Sequence, residues 1–209
     1  TVIYAQKRAG FFVVYRGMCN GCQGGTLPLE THKAKVDALE GLIQKTPTEA
    51  EFYLQKIALY GQVKDFDAAI DTYQKLFRIK PDVQKDADAL VGYGRNLLSA
   101  GLYDDALNVL SRVKNKPGVV TNMQLALISL GRIDELSGQK LEMAGQALPV
   151  MVVNGGDFSN ADFSGARMEK VTFENVNLTG ANFSNVKARM EIKGSRLENA
   201  DFSGAVVAG

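Results

Sequence analysis

Apolar residues recur along this chain at two different periods, and the change of period divides it. Between Thr31 and Leu136 they fall three or four positions apart, as in Val36, Leu39, Leu42 and Ile43. That spacing lines one face of a 3.6-residue turn and predicts amphipathic helices. From Met151 onward the spacing becomes five. Val153, Phe158, Phe163, Met168, Phe173, Leu178 and Phe183 mark it, with small or branched residues two places earlier at Gly156, Ala161, Ala166, Val171, Val176 and Ala181. After Ala188 the frame slips by one residue and resumes at Ile192, Leu197, Phe202 and Val207. Residues 1–30 follow neither period and carry one strand-like run, Phe11 to Tyr15.

The helical part is itself repetitive. Tyr60, Asp65-Phe66-Asp67-Ala68-Ala69-Ile70, Tyr73, Leu76 and Pro81 form one unit. Leu90, Tyr93-Gly94, Leu97, Gly101-Leu102-Tyr103-Asp104-Asp105-Ala106-Leu107, Leu110 and Val113 form the next. Both resemble the tetratricopeptide (TPR) unit, a helix pair of about 34 residues, with Ala69 and Ala106 as small residues at close helix crossings. Thr31 to Gln44 reads as the second helix of an incomplete first unit, one period before. Met123, Leu127, Leu130 and Gly131 to Leu136 read as a third unit whose second helix degrades through Ser137-Gly138 and Lys140, as capping units do. The resemblance implies a ligand groove lined by Glu51, Leu54, Ala58 and Gln62 in one unit and by Asp88, Val91, Arg95 and Ser99 in the next. The family's basic clamp for a peptide carboxylate needs Lys, Arg and Asn at several of these places. Only Arg95 qualifies, so that ligand is rejected.

The five-residue frame, seen most plainly in Ala161-Asp162-Phe163-Ser164-Gly165 and Ala181-Asn182-Phe183-Ser184-Asn185, resembles the pentapeptide-repeat family. The family fold is a right-handed quadrilateral β-helix with four pentads per coil. About twelve pentads give about three coils, ~15 Å tall at the ~4.8 Å strand spacing. The frame predicts that Val153, Phe158, Phe163, Phe173, Leu178, Phe183, Ile192, Leu197 and Phe202 all face one interior. Relatives that imitate DNA are long acidic rods. Here Asp157, Asp162, Glu169, Glu174, Glu191, Glu198 and Asp201 are balanced by Arg167, Lys170, Lys187, Arg189, Lys193 and Arg196, which argues against that role.

Chemistry enters only through Cys19-Asn20-Gly21-Cys22, after the strand-like run. A dithiol between a strand and a helix can have lowered thiol pKa values and exchange disulfides. Leu148-Pro149-Val150-Met151-Val152-Val153-Asn154-Gly155 is similar to the strand that, in thioredoxin-like and DsbA-like proteins with a helical insertion, brings a cis proline to the dithiol. That resemblance implies catalytic roles for Cys19, Cys22 and Pro149, and one sheet containing both Phe11 to Tyr15 and Val150 to Val153. Met18 in place of the usual Trp, and Gly24-Gly25 in the following helix, depart from the pattern. Gln23 stands where covalent haem needs a His. Zinc has three candidate ligands, Cys19, Cys22 and His32, where four are needed. A structural or idle dithiol, a local disulfide and redox exchange stay open. Lone His32, near a helix start, reads as a solvated residue.

Composition narrows the partners. With 45% hydrophobic residues the chain can bury a core, and 24 basic against 23 acidic residues leave neither a nucleic-acid footprint nor an acidic mimic of one. No apolar run approaches the roughly 20 residues of a membrane span. The chain starts at Thr1, so either a targeting segment has been removed or these residues begin inside a longer precursor. The expected fold class is mixed α and β, a TPR-like α-solenoid followed by a short quadrilateral β-helix, with a partial thioredoxin-like unit at the N-terminus left open. The expected divisions are 1–30 (strand and CxxC), 31–148 (helical repeats) and 149–209 (β-helix). The expected function is a non-enzymatic scaffold or adaptor holding other proteins in a larger assembly. It carries no cofactor or metal, binds no nucleic acid, and reaches a membrane only peripherally through the complex. The alternative is a thiol-disulfide oxidoreductase whose repeats recruit clients. A mature or truncated N-terminus is compatible with an organelle lumen, chloroplast or thylakoid, or a bacterial periplasm, with cytoplasm as the alternative, and the pentapeptide resemblance adds an analogy to cyanobacteria and chloroplast lumens.

Overall fold

The computed structural model describes residues 2–8, 11–17, 31–136, 139–148 and 150–208, with side-chain surroundings from Thr31 onward. The chain divides into two compact units, Thr1–Ala89 and Leu90–Gly209.

In the first unit, β1 (Val2–Arg8) and β2 (Phe11–Gly17) pair antiparallel, from Val2 opposite Gly17 to Arg8 opposite Phe11. Helices α1 (His32–Lys45), α2 (Ala50–Gln62) and α3 (Phe66–Ile79) follow. Two of their starts are marked by side chains that satisfy orphan amides. Thr31 Oγ1 accepts the Ala34 N–H at 3.1 Å, and the Asp65 carboxylate accepts that of Ala68 at 3.2 Å. α1 and α3 both pack on α2. Ile43, Tyr53 and Leu76 meet in one buried cluster. Ala69 is fully buried, and burial pushes the Tyr73 hydroxyl up to about 12. A 3-10 turn over Pro81–Lys85, opened by its proline, separates α3 from α4 (Ala87–Ser99) and stretches this repeat beyond the ordinary period. Asp86 Oδ1 caps α4, accepting from the amides of Asp88 and Ala89 at 2.9 and 2.8 Å.

The helix-to-helix turn is the same in all three units. Lys64, Gly101 and Gly131 each adopt a left-handed backbone, with φ of 59°, 80° and 70°. The next residue then donates back to the preceding helix: Asp65 to the Tyr60 carbonyl, Leu102 to Leu97 and Arg132 to Leu127, at 2.9 to 3.0 Å. In the second unit of the chain, α5 (Tyr103–Leu110) crosses α4 at Gly94, where a Cβ would lie 2.5 Å from Leu110 Cδ2. α6 (Val119–Ser129) packs on α5. The helix after α6 is reduced to one 3-10 turn, Ile133–Leu136, as the degraded third repeat predicts.

The parallel β-helix is built from β3 (Ala147–Leu148), β4 (Met151–Asn154), β5 (Arg167–Glu174), β6 (Lys187–Lys193) and β7 (Val206–Ala208). β3 and β4 pair with β5, β5 with β6, and β6 with β7. The other faces are joined by single bridges, Glu142 to Asp162 to Asn182 to Asp201, and Asp157 to Asn177 to Arg196. The one-residue slip in the frame is absorbed where Val171 aligns with Met190. Val153, Phe158, Phe163, Met168, Phe173, Leu178 and Phe183 are buried, and Phe163 and Phe183 stack. The expectation that all nine central residues are interior needs correction. Ile192 and Phe202 are half-buried and Leu197 is 37% exposed, because they belong to the last described coil, over which no described residue stacks.

Coil stacking also begins upstream of Met151. Met143 donates to the Asp162 carbonyl at 2.7 Å and Asp162 to that of Leu141 at 2.9 Å. Leu107, Ala126, Leu127 and Leu136 of the last helices share one buried cluster with Leu141, Met143, Leu148, Val153 and the phenylalanine stack. The helices therefore plug the first end of the β-helix. Gln124, 2% exposed on α6, donates to the Lys140 carbonyl at 2.9 Å and accepts from the Glu142 amide at 3.3 Å. A helix side chain thus satisfies a sheet edge that would otherwise be bare.

Candidate functional site

The residues predicted to line a groove fall on one face of each helix, since they are spaced three or four apart. On α2, Ala58 and Gln62 are exposed, and Glu51 and Leu54 half-buried. Leu54 rests against the Ile43–Tyr53–Leu76 cluster, and Glu51 accepts the Gln55 amide at 3.0 Å. On α4, Asp88, Arg95 and Ser99 are exposed and Val91 is half-buried. Arg95 extends to the Gly118 turn, where its Nη2 would lie 3.5 Å from an added Cβ.

The opposite side of α2 holds residues that the sequence did not single out. Lys56 is only 8% exposed, yet its ammonium pairs with Glu40 of α1 and sits 5.7 Å from the Tyr60 ring centroid. Burial, with Glu40 adding to it, raises the Tyr53 hydroxyl pKa. His32 is not simply solvated. It is half-buried, its Nε2 donates to the Leu59 carbonyl at 3.0 Å, and its ring lies 6.0 Å from that of Tyr60. These polar contacts fix α1 against α2, and only the burial of a lysine inside an apolar helix face could have hinted at them.

The β-helix presents a polar exterior. At successive corners an Asp or Asn side chain accepts the amide two residues on: Asp157 from Ser159, Asp162 from Ser164, Asn177 from Thr179, Asn182 from Ser184 and Asp201 from Ser203, at 2.8 to 3.2 Å. The Ser159, Ser164 and Ser203 contacts hold the three aspartates below the usual carboxylate range. Gln139, Lys140, Asp157, Ser159 and Asn160 line an open polar hollow. Among the described residues, no three His, Cys, Asp or Glu side chains gather to hold a metal, and no helix is long and apolar enough to cross a membrane.

Cys19, Cys22 and Pro149 lie outside the described residues. Among the described residues, the strands expected to flank them belong to two separate sheets, not to the one that the thioredoxin-like resemblance implies. β2 takes β1 as its partner, and β4 takes β5. The physical reason is that Met151–Asn154 already serves as a wall of the first coil, with Val153 in its core.

Together these features define a solenoid protein of two repeat types, one helical and one a parallel β-helix. Comparison with known families agrees: a model for tetratricopeptide repeat matches residues 62–118, and one for pentapeptide repeats (8 copies) matches residues 157–189. No curated protein matches the chain. Both repeat types are typical of protein–protein interaction modules.

Proposed function

We propose that the chain is a scaffold or adaptor that holds other proteins in a larger assembly, an organellar complex by family analogy. The observation that carries the reading is the shared core of the last helices and the β-helix. It makes Leu90–Gly209 one compact unit that offers a fixed polar exterior without spending stability on a flexible joint. On this reading the α2 face around Leu54, Ala58 and Gln62 takes an extended or helical segment of a partner.

The test compares proteins retained from the native source by the full chain and by Ala58→Arg/Gln62→Arg. Both positions are exposed, so the variant should melt like the parent. Loss of a specific retained protein supports the groove. An unchanged set of retained proteins overturns it.

A further inference from the structure

β5 and β6 each run over two faces of the β-helix, centred on Met168 and Phe173 in one coil and on Ala188 and Ile192 in the next. The corner between those faces carries an uncompensated charge. Arg167 lies in register with Lys187, so two exposed cations stand side by side on adjacent strands, about 4.8 Å apart along the stack. Lys170 and Arg189, also exposed, follow where the register shifts. Among the described residues, the ion pairs of the β-helix join Lys140 to Glu142, Lys193 to Glu191 and Arg196 to Glu198, and include none of these four cations. Lys193 lowers the Glu191 carboxyl, and Lys170 adds only a weaker attraction to it. Glu169, within the same corner, is in none of these pairs.

Like charges opposite each other across strands destabilise a sheet. Elsewhere on the β-helix that cost is avoided. Glu174 has Lys193 as its register partner, and Asp157, Asn177 and Arg196 follow one another up the stack. Glu142 and Asp162 are neighbours of like sign, but Lys140 lies 3.9 Å from the first and attracts the second. Arg167 and Lys187 have no such neutraliser among the described residues. Apolar side chains stand beside them instead. Val150 precedes Met151, the register partner of Val171, so it lies next to Lys170, and it is 65% exposed. Val152, opposite Thr172, is 62% exposed.

We propose that this ridge binds the surface of an anionic bilayer. Four unpaired cations select an anionic partner, and the exposed valines beside them select one with an apolar layer beneath its charge. Nucleic-acid phosphates offer the charge without that layer. A convex corner also provides no groove to hold a peptide, whereas it can press into a soft surface. The Arg and Lys stems carry their charged heads to the lipid headgroups while Val150 and Val152 reach the acyl boundary. Each cation near such a surface strengthens binding about five-fold, so attachment is weak, reversible and released by salt. The proposal is independent of the α2 face and would bring whatever the scaffold holds to a membrane.

The 209-residue chain should sediment at low salt with vesicles of equal parts phosphatidylcholine and phosphatidylserine, and not with phosphatidylcholine alone. Arg167→Glu/Lys187→Glu should weaken that binding about thirty-fold or more. Val150→Ser/Val152→Ser should weaken it a few-fold. Lys75→Glu/Lys80→Glu makes the same charge change at exposed positions on α3 and just after it, and should bind like the parent. All six positions are exposed, so melting curves should match. A parent chain that ignores the mixed vesicles overturns the proposal, and a native protein lost from Arg167→Glu/Lys187→Glu would then assign the ridge to an acidic protein surface. Equal loss in both charge-reversed variants also overturns it, since net charge alone would then drive binding. So does undiminished binding by Arg167→Glu/Lys187→Glu or by the serine variant.

Discussion

Phe183 lies between two rings, stacked on Phe163 and on Phe202 with centroids 4.9 Å apart in both cases and planes 10° and 2° from parallel. That separation is close to the strand spacing of a β-sheet, so each ring repeats the rise of its own coil. Phe173 meets Phe163 and Phe183 edge-on at 5.8 and 6.0 Å, so the interior combines stacked and perpendicular contacts.

Burial along this stack sets the first prediction. Phe183 is fully buried, so Phe183→Ala should lower stability by ~3 to 5 kcal/mol. Phe202 is half-buried in the last described coil, and Phe202→Ala should lower it by less than half as much. Urea unfolding of both variants measures the ratio. Equal losses would mean that Phe202 is packed as tightly as Phe183.

Much of this was legible because the constraints are local. The five-residue frame shows in sequence since each coil admits only small residues at its corners and large apolar ones at its centre, as Ala161 and Phe163 do. The earlier pentads escaped because Leu141 and Gln146 stand where the frame wants a small residue, although Met143 and Leu148 still stack beneath Phe163 and Met168. The exposure of Leu197 escaped for another reason, because its neighbours within the coil are as the frame requires and its burial is set by stacking between coils, not by the pentad itself. The Lys56–Glu40 pair joins two helices, and no periodicity reports such a pairing.

Close approach at Gly94 gives the second prediction. Alanine is the better helix former by ~1 kcal/mol, but its methyl would fall 2.5 Å from Leu110 Cδ2 and 2.6 Å from Leu110 Cγ. Leu110 is fully buried and cannot swing aside. Overpacking, worth ~1 to 3 kcal/mol, wins, so Gly94→Ala should destabilise despite its propensity. Ala106→Leu, also at a fully buried site, should cost at least as much. A rise in melting temperature for Gly94→Ala would refute the crossing.

The turn at Lys64 offers the opposite effect. A side chain at φ of 59° costs ~1 to 2 kcal/mol, and glycine occupies the equivalent positions 101 and 131. Lys64→Gly loses ~0.5 to 1 kcal/mol through the freer unfolded chain. The balance favours the variant, and thermal unfolding should show a small gain of about 0.5 kcal/mol. A loss of stability would mean that the lysine stem supplies packing that glycine cannot replace.

The corner aspartates make stability depend on acid. The amide and hydroxyl of Ser164 hold the folded pKa of Asp162 below its ordinary value, with a smaller contribution from Lys140, while burial opposes them. Asp157 and Asp201 are lowered in the same way by Ser159 and Ser203. The unfolded chain titrates near ~3.9. Between that value and the lower folded ones the unfolded state binds more protons, so stability rises with pH through this window. The contribution is fully present above about pH 5 and is lost as pH falls through the folded values, below ~3.9. Asn182 shows how to separate the turn from its charge, since its Oδ1 accepts the Ser184 amide at 3.0 Å without titrating. Asp162→Asn should therefore keep the fold at neutral pH and flatten part of the acid limb. Unfolding curves of parent and variant measured from pH 7 down to about pH 2.5 decide it: parallel acid limbs would show that Asp162 carries no part of the linkage, and a collapse of the variant at neutral pH would show that its charge is needed for the turn.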